Sequence, residues 1–446
     1  MIKRAVVVVW TLALIVSVAS ADPSETIVVV GQADRTVDRQ NVQDAIDAAS
    51  PGASIVLEGT FLLDGERIFI SNGPLTLTGA PVDNDSDGRV NEDWGDGVDN
   101  DGEGLTDEDD WDSVLEGIAE ADGTPASDGM LDYYYNRAIS IEGVTGTAGH
   151  IAIRHLKLTT FDRGINIFPE YFWGTKRCED LVHTGGQTQH VTIEDNWFEN
   201  SYRDIVVNGT GRDMTAQRNH FVGSLSGSVL LIGELFGCIR PDGMDDPVPM
   251  GVPLRNRFVE NRFAPDANGW GLLSIVSEKT TVRRNSFAQG WVAVYSAGDD
   301  APMVDQNVVA NELYGIAIEG SAGASVLQNR LIGGFIGLDG ALPSPNSRFA
   351  NNVVTGSVLG LVLELWASGF TAVNNDYVES WDVDVFLDDT TFQNTIIVND
   401  STTTVADLGT DNKLIGTLAS TYHARIPDAA RHRREELRKQ IASQRP

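Results

Sequence analysis

A right-handed parallel β-helix is the fold class this sequence predicts, and three observations predict it. An Asn-centred phrase recurs from residue 190 onward, and short β-type segments fall between glycines and polar turns in every repeat. No ten-residue helical period fits inside such a unit. The chain therefore reads as all-β, with about ten coils and an N-terminal capping helix.

The phrase runs Glu194-Asp195-Asn196-Trp197-Phe198, Gln217-Arg218-Asn219-His220-Phe221 and Val259-Glu260-Asn261-Arg262-Phe263, then continues around Asn285, Asn307, Asn329, Asn352 and Asn375. Successive asparagines stand 23, 42, 24, 22, 22, 23 and 23 residues apart, so one coil carries an insertion. Each period holds a second strand, such as Ile205-Val206-Val207, Val292-Ala293-Val294-Tyr295 or Gly315-Ile316-Ala317-Ile318. A coil of this kind climbs about 4.8 Å, the ordinary spacing between strands. At one bend the Asn amide is expected to bond the Asn above and below, and to tolerate the left-handed backbone of a sharp turn. Phe198, Phe221, Phe263 and Phe287 are expected to stack inward in the same way.

Toward the N-terminus, Asn41 to Gly52 predicts a short amphipathic helix. Asn41 would be its N-cap, Val42, Ala45, Ile46 and Ala49 its apolar face, and Pro51-Gly52 its stop. An open β-helix exposes a strand edge and an apolar end, so a cap is physically expected. The run NVQDAIDAASPGASIVLEGTF, followed by PLTLTGA, resembles the cap and first coils of secreted bacterial members of the pectin-lyase-like superfamily. The resemblance covers about residues 36 to 80 and 138 to 416 and implies the parallel β-helix fold. That superfamily holds lyases, hydrolases, epimerases and non-enzymes, so the likeness does not choose an activity.

Met1-Ile2-Lys3-Arg4, the apolar stretch Ala5 to Val18 and Ala19-Ser20-Ala21 have the build of a secretory signal peptide over 1–21. A secreted or periplasmic location follows, with no membrane span and a monomer expected. In an oxidising compartment Cys178 and Cys238, the two cysteines of the chain, are expected to pair, the alternative being two reduced buried thiols. The formal net charge of −32 excludes a nucleic-acid partner that depends on a positive field. A soft-metal carrier is opposed by only 7 His, 6 Met and 2 Cys.

The domain plan is the signal, a cap with first coils over 36–80, an acidic insertion over 81–137, β-helix repeats over 138–416, and a basic tail over 417–446. Residues 425–446 carry seven Lys/Arg against three Asp/Glu, and a solvent-facing helix or frayed end is expected there.

Between Asp83 and Asp112 stand 14 acidic residues and one Arg. Asp99, Asp101, Glu103, Asp107 and Asp110 occupy positions 1, 3, 5, 9 and 12 of a loop with Gly104 at position 6. That spacing suits a hard cation wrapped by oxygens, and Ca²⁺ is the expected cofactor. Asp83, Asp85, Asp87 and Asn91 begin a second loop of the same kind. Both resemble the aspartate-rich loops of dockerin and thrombospondin type 3 repeats.

Two further insertions follow matching strands. FPEYFWGTKRCEDLVHTGG comes after Gly164-Ile165-Asn166-Ile167, and ELFGCIRPDGMDDPVPMG after Val229-Leu230-Leu231-Ile232. They are expected to emerge two coils apart on one side, with Arg163 and Arg203 at the floor between them. Their aromatic side chains suit sugar stacking and their cations a uronate carboxylate, so an extracellular polysaccharide is the expected partner. A polysaccharide lyase or C5-epimerase needs the sugar carboxylate neutralised and a base for the adjacent C–H. Lys176, Arg240, Arg177 and His183 are the candidate catalytic residues. The alternative is a non-catalytic surface or binding protein with a calcium-stabilised insertion.

Overall fold

The computed structural model describes residues 25–80, 113–126, 136–144, 149–168, 171–173, 181–183, 188–209, 211–233, 236–239, 245–248, 252–310, 313–398, 402–416 and 420–421. Within them, one continuous 35-stranded parallel sheet winds into three faces, and the chain is a right-handed parallel β-helix. The helix expected at the N-terminus is present, and among the described residues no helix is long and apolar enough to cross a bilayer.

Every coil runs through the three faces in the same order. Face one holds strands such as Val191–Glu194, face two Trp197–Glu199, and face three Arg203–Asn208. Face two stacks residues 59–62, then Ser113–Glu116, Lys157–Thr159, Trp197–Glu199, His220–Val222, Arg262–Ala264, Ser286–Ala288, Val308–Ala310, Arg330–Ile332, Val353–Thr355 and Asp376–Val378. These in-register parallel segments number eleven, one for each three-sided coil. The expectation of about ten coils holds.

The asparagine column lies at the bend from face one to face two. Asn196 Nδ2 donates to Asn219 Oδ1 at 3.0 Å, and the link repeats through Asn261, Asn285, Asn307, Asn329 and Asn352 to Asn375 at 2.9 to 3.0 Å. Each backbone N–H also donates to the Oδ1 of the next coil, as Asn285 does to Asn307 at 2.9 Å. The second amide proton goes to a carbonyl of the coil before, as from Asn285 to Phe258 at 3.0 Å. Every polar atom of a buried amide is thereby satisfied, the condition for placing it in an apolar interior.

One detail differs from expectation. The left-handed conformation belongs to the residue before each Asn, with φ of 56° at Asp195, 53° at Arg218, 60° at Glu260 and 54° at Arg284. The Asn itself is held by the ladder through both its backbone and its side chain, so the turn's strain falls on its exposed neighbour.

Inside, Phe198, Phe221, Phe263 and Phe287 stack face to face with ring centroids 4.9, 4.7 and 4.5 Å apart. The column leaves room for little else where face three begins. At Gly271 an added Cβ would stand 2.6 Å from Phe287 Cδ1 and 2.5 Å from the carbonyl of Ala293. Equivalent positions hold Gly164, Asp204, Ser228, Ala293, Gly315, Gly337 and Gly360, so a small-residue column accompanies the large one.

The cap helix spans Asp38–Ala48, not Asn41 onward, and Val37 is its N-cap. Asn41 is already helical and donates its N–H to the Val37 carbonyl at 2.9 Å. The buried Asp38 carboxylate explains the earlier start. It accepts from the N–H groups of Gln32, Asp34 and Leu62 at 2.9, 2.8 and 3.0 Å and so pins the helix to the first coil. Val42 and Ala45 are buried, with Ile46 and Ala49 packed beside them, as the apolar face predicts.

The acidic run 81–112 lies outside the described residues. Its two ends sit at the asparagine bend of the second coil: Leu75–Gly79 on face one and Ser113–Glu116 on face two. Ser113 Oγ donates to the Leu57 carbonyl at 2.6 Å and accepts from the Ala80 N–H at 2.9 Å. The span 81–137, expected as one insertion, thus includes a strand that rejoins the stack.

Candidate functional site

Face three is where the insertions leave. The hairpin of Tyr171–Trp173 and Leu181–His183 follows Arg163–Phe168, and the hairpin of Phe236–Ile239 and Asp245–Val248 follows Gly227–Ile232. Arg203–Asn208 pairs with the strands on both sides, which places the two departures two coils, about 10 Å, apart.

On the strand between them and the two before it, the outward side of face three carries arginines. Arg137, Arg163 and Arg203 occupy one register position on three consecutive strands. Arg137 is only 1% exposed. With its amide oxygen turned toward Arg137, the buried Asn166 accepts from Nε at 3.1 Å and from Nη1 at 2.9 Å. Arg67 lies 3.5 Å from the buried Glu142, and Arg163 lies 3.4 Å from Asp162. Three arginines on successive strands, with Arg67 beside them and Glu142 and Asp162 as carboxylate partners, concentrate cationic side chains in a chain that is otherwise strongly acidic. Arg163 and Arg203 were singled out by their place before equivalent strands. Arg137 was missed, although Arg-Ala-Ile-Ser-Ile repeats the phrase of Arg163-Gly-Ile-Asn-Ile and Arg203-Asp-Ile-Val-Val.

Of the predicted catalytic residues, His183 ends a hairpin strand with Tyr171 as its register partner. Lys176, Arg177 and Arg240 lie outside the described residues, as does Cys178. Cys238 stands opposite Asp246 in the second hairpin. The calcium ligands expected from spacing, Asp83, Asp85, Asp87, Asn91, Asp99, Asp101, Glu103, Asp107 and Asp110, also lie outside them. Among the described residues, no group of three or more His, Cys, Asp or Glu side chains is placed to hold a metal ion.

Two other titratable groups are perturbed without joining the site. His220 stacks on Trp197 outside face two, with centroids 5.2 Å apart, and burial with nearby Arg262 pushes its pKa down to about 3. A ring so weakly basic is a poor proton acceptor near neutral pH. Asp204 is fully buried inside the coil beside Ser224 and Ser228, and burial raises its pKa well above the usual carboxylate range. It shares a strand with Arg203 but points into the core, away from any ligand.

Farther along, the same outward face turns apolar. Trp270, Tyr295, Tyr314, Leu359, Val362 and Phe386 form a cluster separate from the interior one.

No protein-family model matches the chain, and no curated protein matches it by sequence. Solved structures do. The A-module of mannuronan C-5 epimerase AlgE4 from Azotobacter vinelandii is 12% identical, over 85% of this chain and 96% of that one, with a TM-score of 0.45. The catalytic unit of the GH87 α-1,3-glucanase from Streptomyces thermodiastaticus strain HF3-3 is 14% identical, over 91% and 72%, with a TM-score of 0.48. The surface protein and adhesin PfbA of Streptococcus pneumoniae is 15% identical, over 78% and 95%, with a TM-score of 0.38. From its own coils, ladders and cap, the chain has the right-handed parallel β-helix fold.

Proposed function

We propose that this is a secreted β-helix protein that binds an acidic polysaccharide across the upstream half of face three, between the two hairpins. The observation that carries the reading is the in-register column Arg137, Arg163 and Arg203, in which Arg163 stands on the strand that the first insertion follows and Arg203 on the strand between the two departures. A local positive field on a chain of net charge −32 selects anions at this place and disfavours them elsewhere. Guanidinium groups match carboxylates in shape as well as charge.

The finer reading is a lyase or C5-epimerase acting on uronates. A neutralised carboxylate acidifies the neighbouring C–H, and a base on the hairpins takes the proton. Lys176 and Arg240 are the first candidates, since each lies within two residues of a cysteine and a Cys178–Cys238 disulfide would restrain them. Arg177 and His183 are the others. Calcium in the 81–112 loops would order that insertion, whose carboxylates otherwise repel one another.

The test uses a panel of uronate polymers with and without calcium. Retardation of an acidic polymer in affinity electrophoresis, lost on Arg203→Gln, supports the binding reading; no retardation of any acidic polymer sinks it. Absorbance of unsaturated uronate, or solvent hydrogen exchange into the polymer, reports the chemistry. Lys176→Ala and Arg240→Ala should then abolish turnover while leaving binding within about threefold. Binding without turnover favours the non-catalytic alternative.

A further inference from the structure

We infer that the downstream half of face two is a two-fold contact between two copies of this chain. From the Arg262 strand to the Asp376 strand, each face-two segment turns its middle residue inward and its two flanking residues outward. One outward column reads Arg262, Ser286, Val308, Arg330, Val353 and Asp376. The other reads Ala264, Ala288, Ala310, Ile332, Thr355 and Val378. Every residue of the first column is exposed, and Val308, Val353 and Val378 are 43%, 36% and 37% exposed. The run has natural ends: His220, one rung earlier, is only 6% exposed, and Asp376–Val378 is the last strand of face two among the described residues. Two Arg against one Asp leave these twelve positions at +1 in a chain at −32. Two chains of that charge repel one another, and least where this nearly neutral, partly apolar face meets its copy.

The order of residues along the columns selects a second copy as the partner. A two-fold axis parallel to the strands, midway between the Val308 and Arg330 rungs, sets the first rung against the sixth, the second against the fifth and the third against the fourth. Arg262 then faces the partner's Asp376 at one end, and the same pair closes the other end. Val308 faces the partner's Arg330, whose aliphatic stem covers it. In the second column Ala264 faces the partner's Val378, Ala288 the partner's Thr355 and Ala310 the partner's Ile332. Small meets branched on every rung, the shape match that a flat interface needs. Beside the asparagine bend, Gln306 and Gln328 bond to each other at 3.0 Å within one copy, and the axis brings the same pair of the other copy against them. The two stacks run antiparallel, and both third faces come to one side of the dimer. Six short rungs make a modest contact, so dissociation in the micromolar range is expected, in place of the monomer expected from the sequence.

Sedimentation equilibrium of the full chain between about 1 and 300 µM tests it, the average mass rising from one chain toward two. Arg262→Asp or Asp376→Arg sets like charges together at both ends of the contact, and either should weaken association at least tenfold. The double variant restores opposite charges and should associate within about threefold of the unaltered chain. Both side chains are exposed, so folding should survive these changes. A second route alters no charge. An equimolar mixture of Ser286→Cys and Val353→Cys chains should be joined by a short bis-maleimide, a link that neither chain forms with itself, since like positions lie three rungs, about 14 Å, apart along the axis. A single chain mass at every concentration would overturn the inference. So would single swaps that leave association unchanged, a double variant that fails to recover it, or a mixture that crosslinks no better than its components.

Discussion

The upstream and downstream halves of face three share a backbone and a register but not an outer surface. Upstream, Arg137, Arg163 and Arg203 stand at one position of successive strands; downstream, the same position holds Trp270, Val292, Tyr314, Ile336 and Leu359. The inward residues barely change, being Ile165 and Ile167 in one half and Leu361 and Leu363 in the other. A coil therefore constrains its interior and leaves its exterior free. The fold is maintained by one set of side chains, and the binding properties are written in the other.

The largest effect should come from the downstream half. Trp270→Ala removes a buried ring that meets Tyr295 edge-on at 5.3 Å, and should cost about 3–5 kcal/mol in denaturant unfolding. A loss below about 1 kcal/mol would mean the apolar cluster around Trp270 is not packed. Upstream, Arg137→Ala should cost about 1–3 kcal/mol, because the buried Asn166 oxygen loses both its donors. Arg137→Lys, a single point donor, should recover only part of this; full recovery would show that charge alone matters there.

Asp204 separates inside from outside on the strand that bears Arg203. Its folded pKa is raised by burial, so the native protein holds a proton that the unfolded chain releases above its ordinary value of 3.8. Stability contributed by this group is full below that value and falls as pH rises toward the folded pKa. Asp204→Asn should flatten that fall and raise the melting temperature near neutral pH. An unchanged pH profile of unfolding would show that the carboxyl is not protonated in the native state. The smallest effect belongs to a third surface: Val308→Thr, outward on face two and 43% exposed, should shift stability by less than about 0.5 kcal/mol.

The period of the coils, the asparagine column, the inward phenylalanines and the departure of two insertions on either side of the Arg203 strand were all legible in the residue order. Each follows from a rule that every coil repeats: amide to amide at a bend, ring on ring inside, alternation along a strand. Residues that obeyed the rule but stood outside the counted repeats, such as Arg137, escaped notice because a long interruption separates them from their fellows. The start of the cap helix was misread for a related reason. Asn41 is a good local cap, but Asp38 has three backbone donors brought to it, one of them Leu62 from the first coil.

By itself, then, the sequence determined that this chain coils, with what period, and which side chains fill the interior. Only the tertiary structure decided that three arginines from separate repeats share one register, and that the downstream outward residues of face three form a buried apolar cluster. It also returned Ser113–Glu116 to the stack after the acidic run. The physical reason is range. Stacking repeats a local condition coil after coil, so one repeat predicts the next. What meets on the outside depends on segments that leave the stack and on where the chain brings them back.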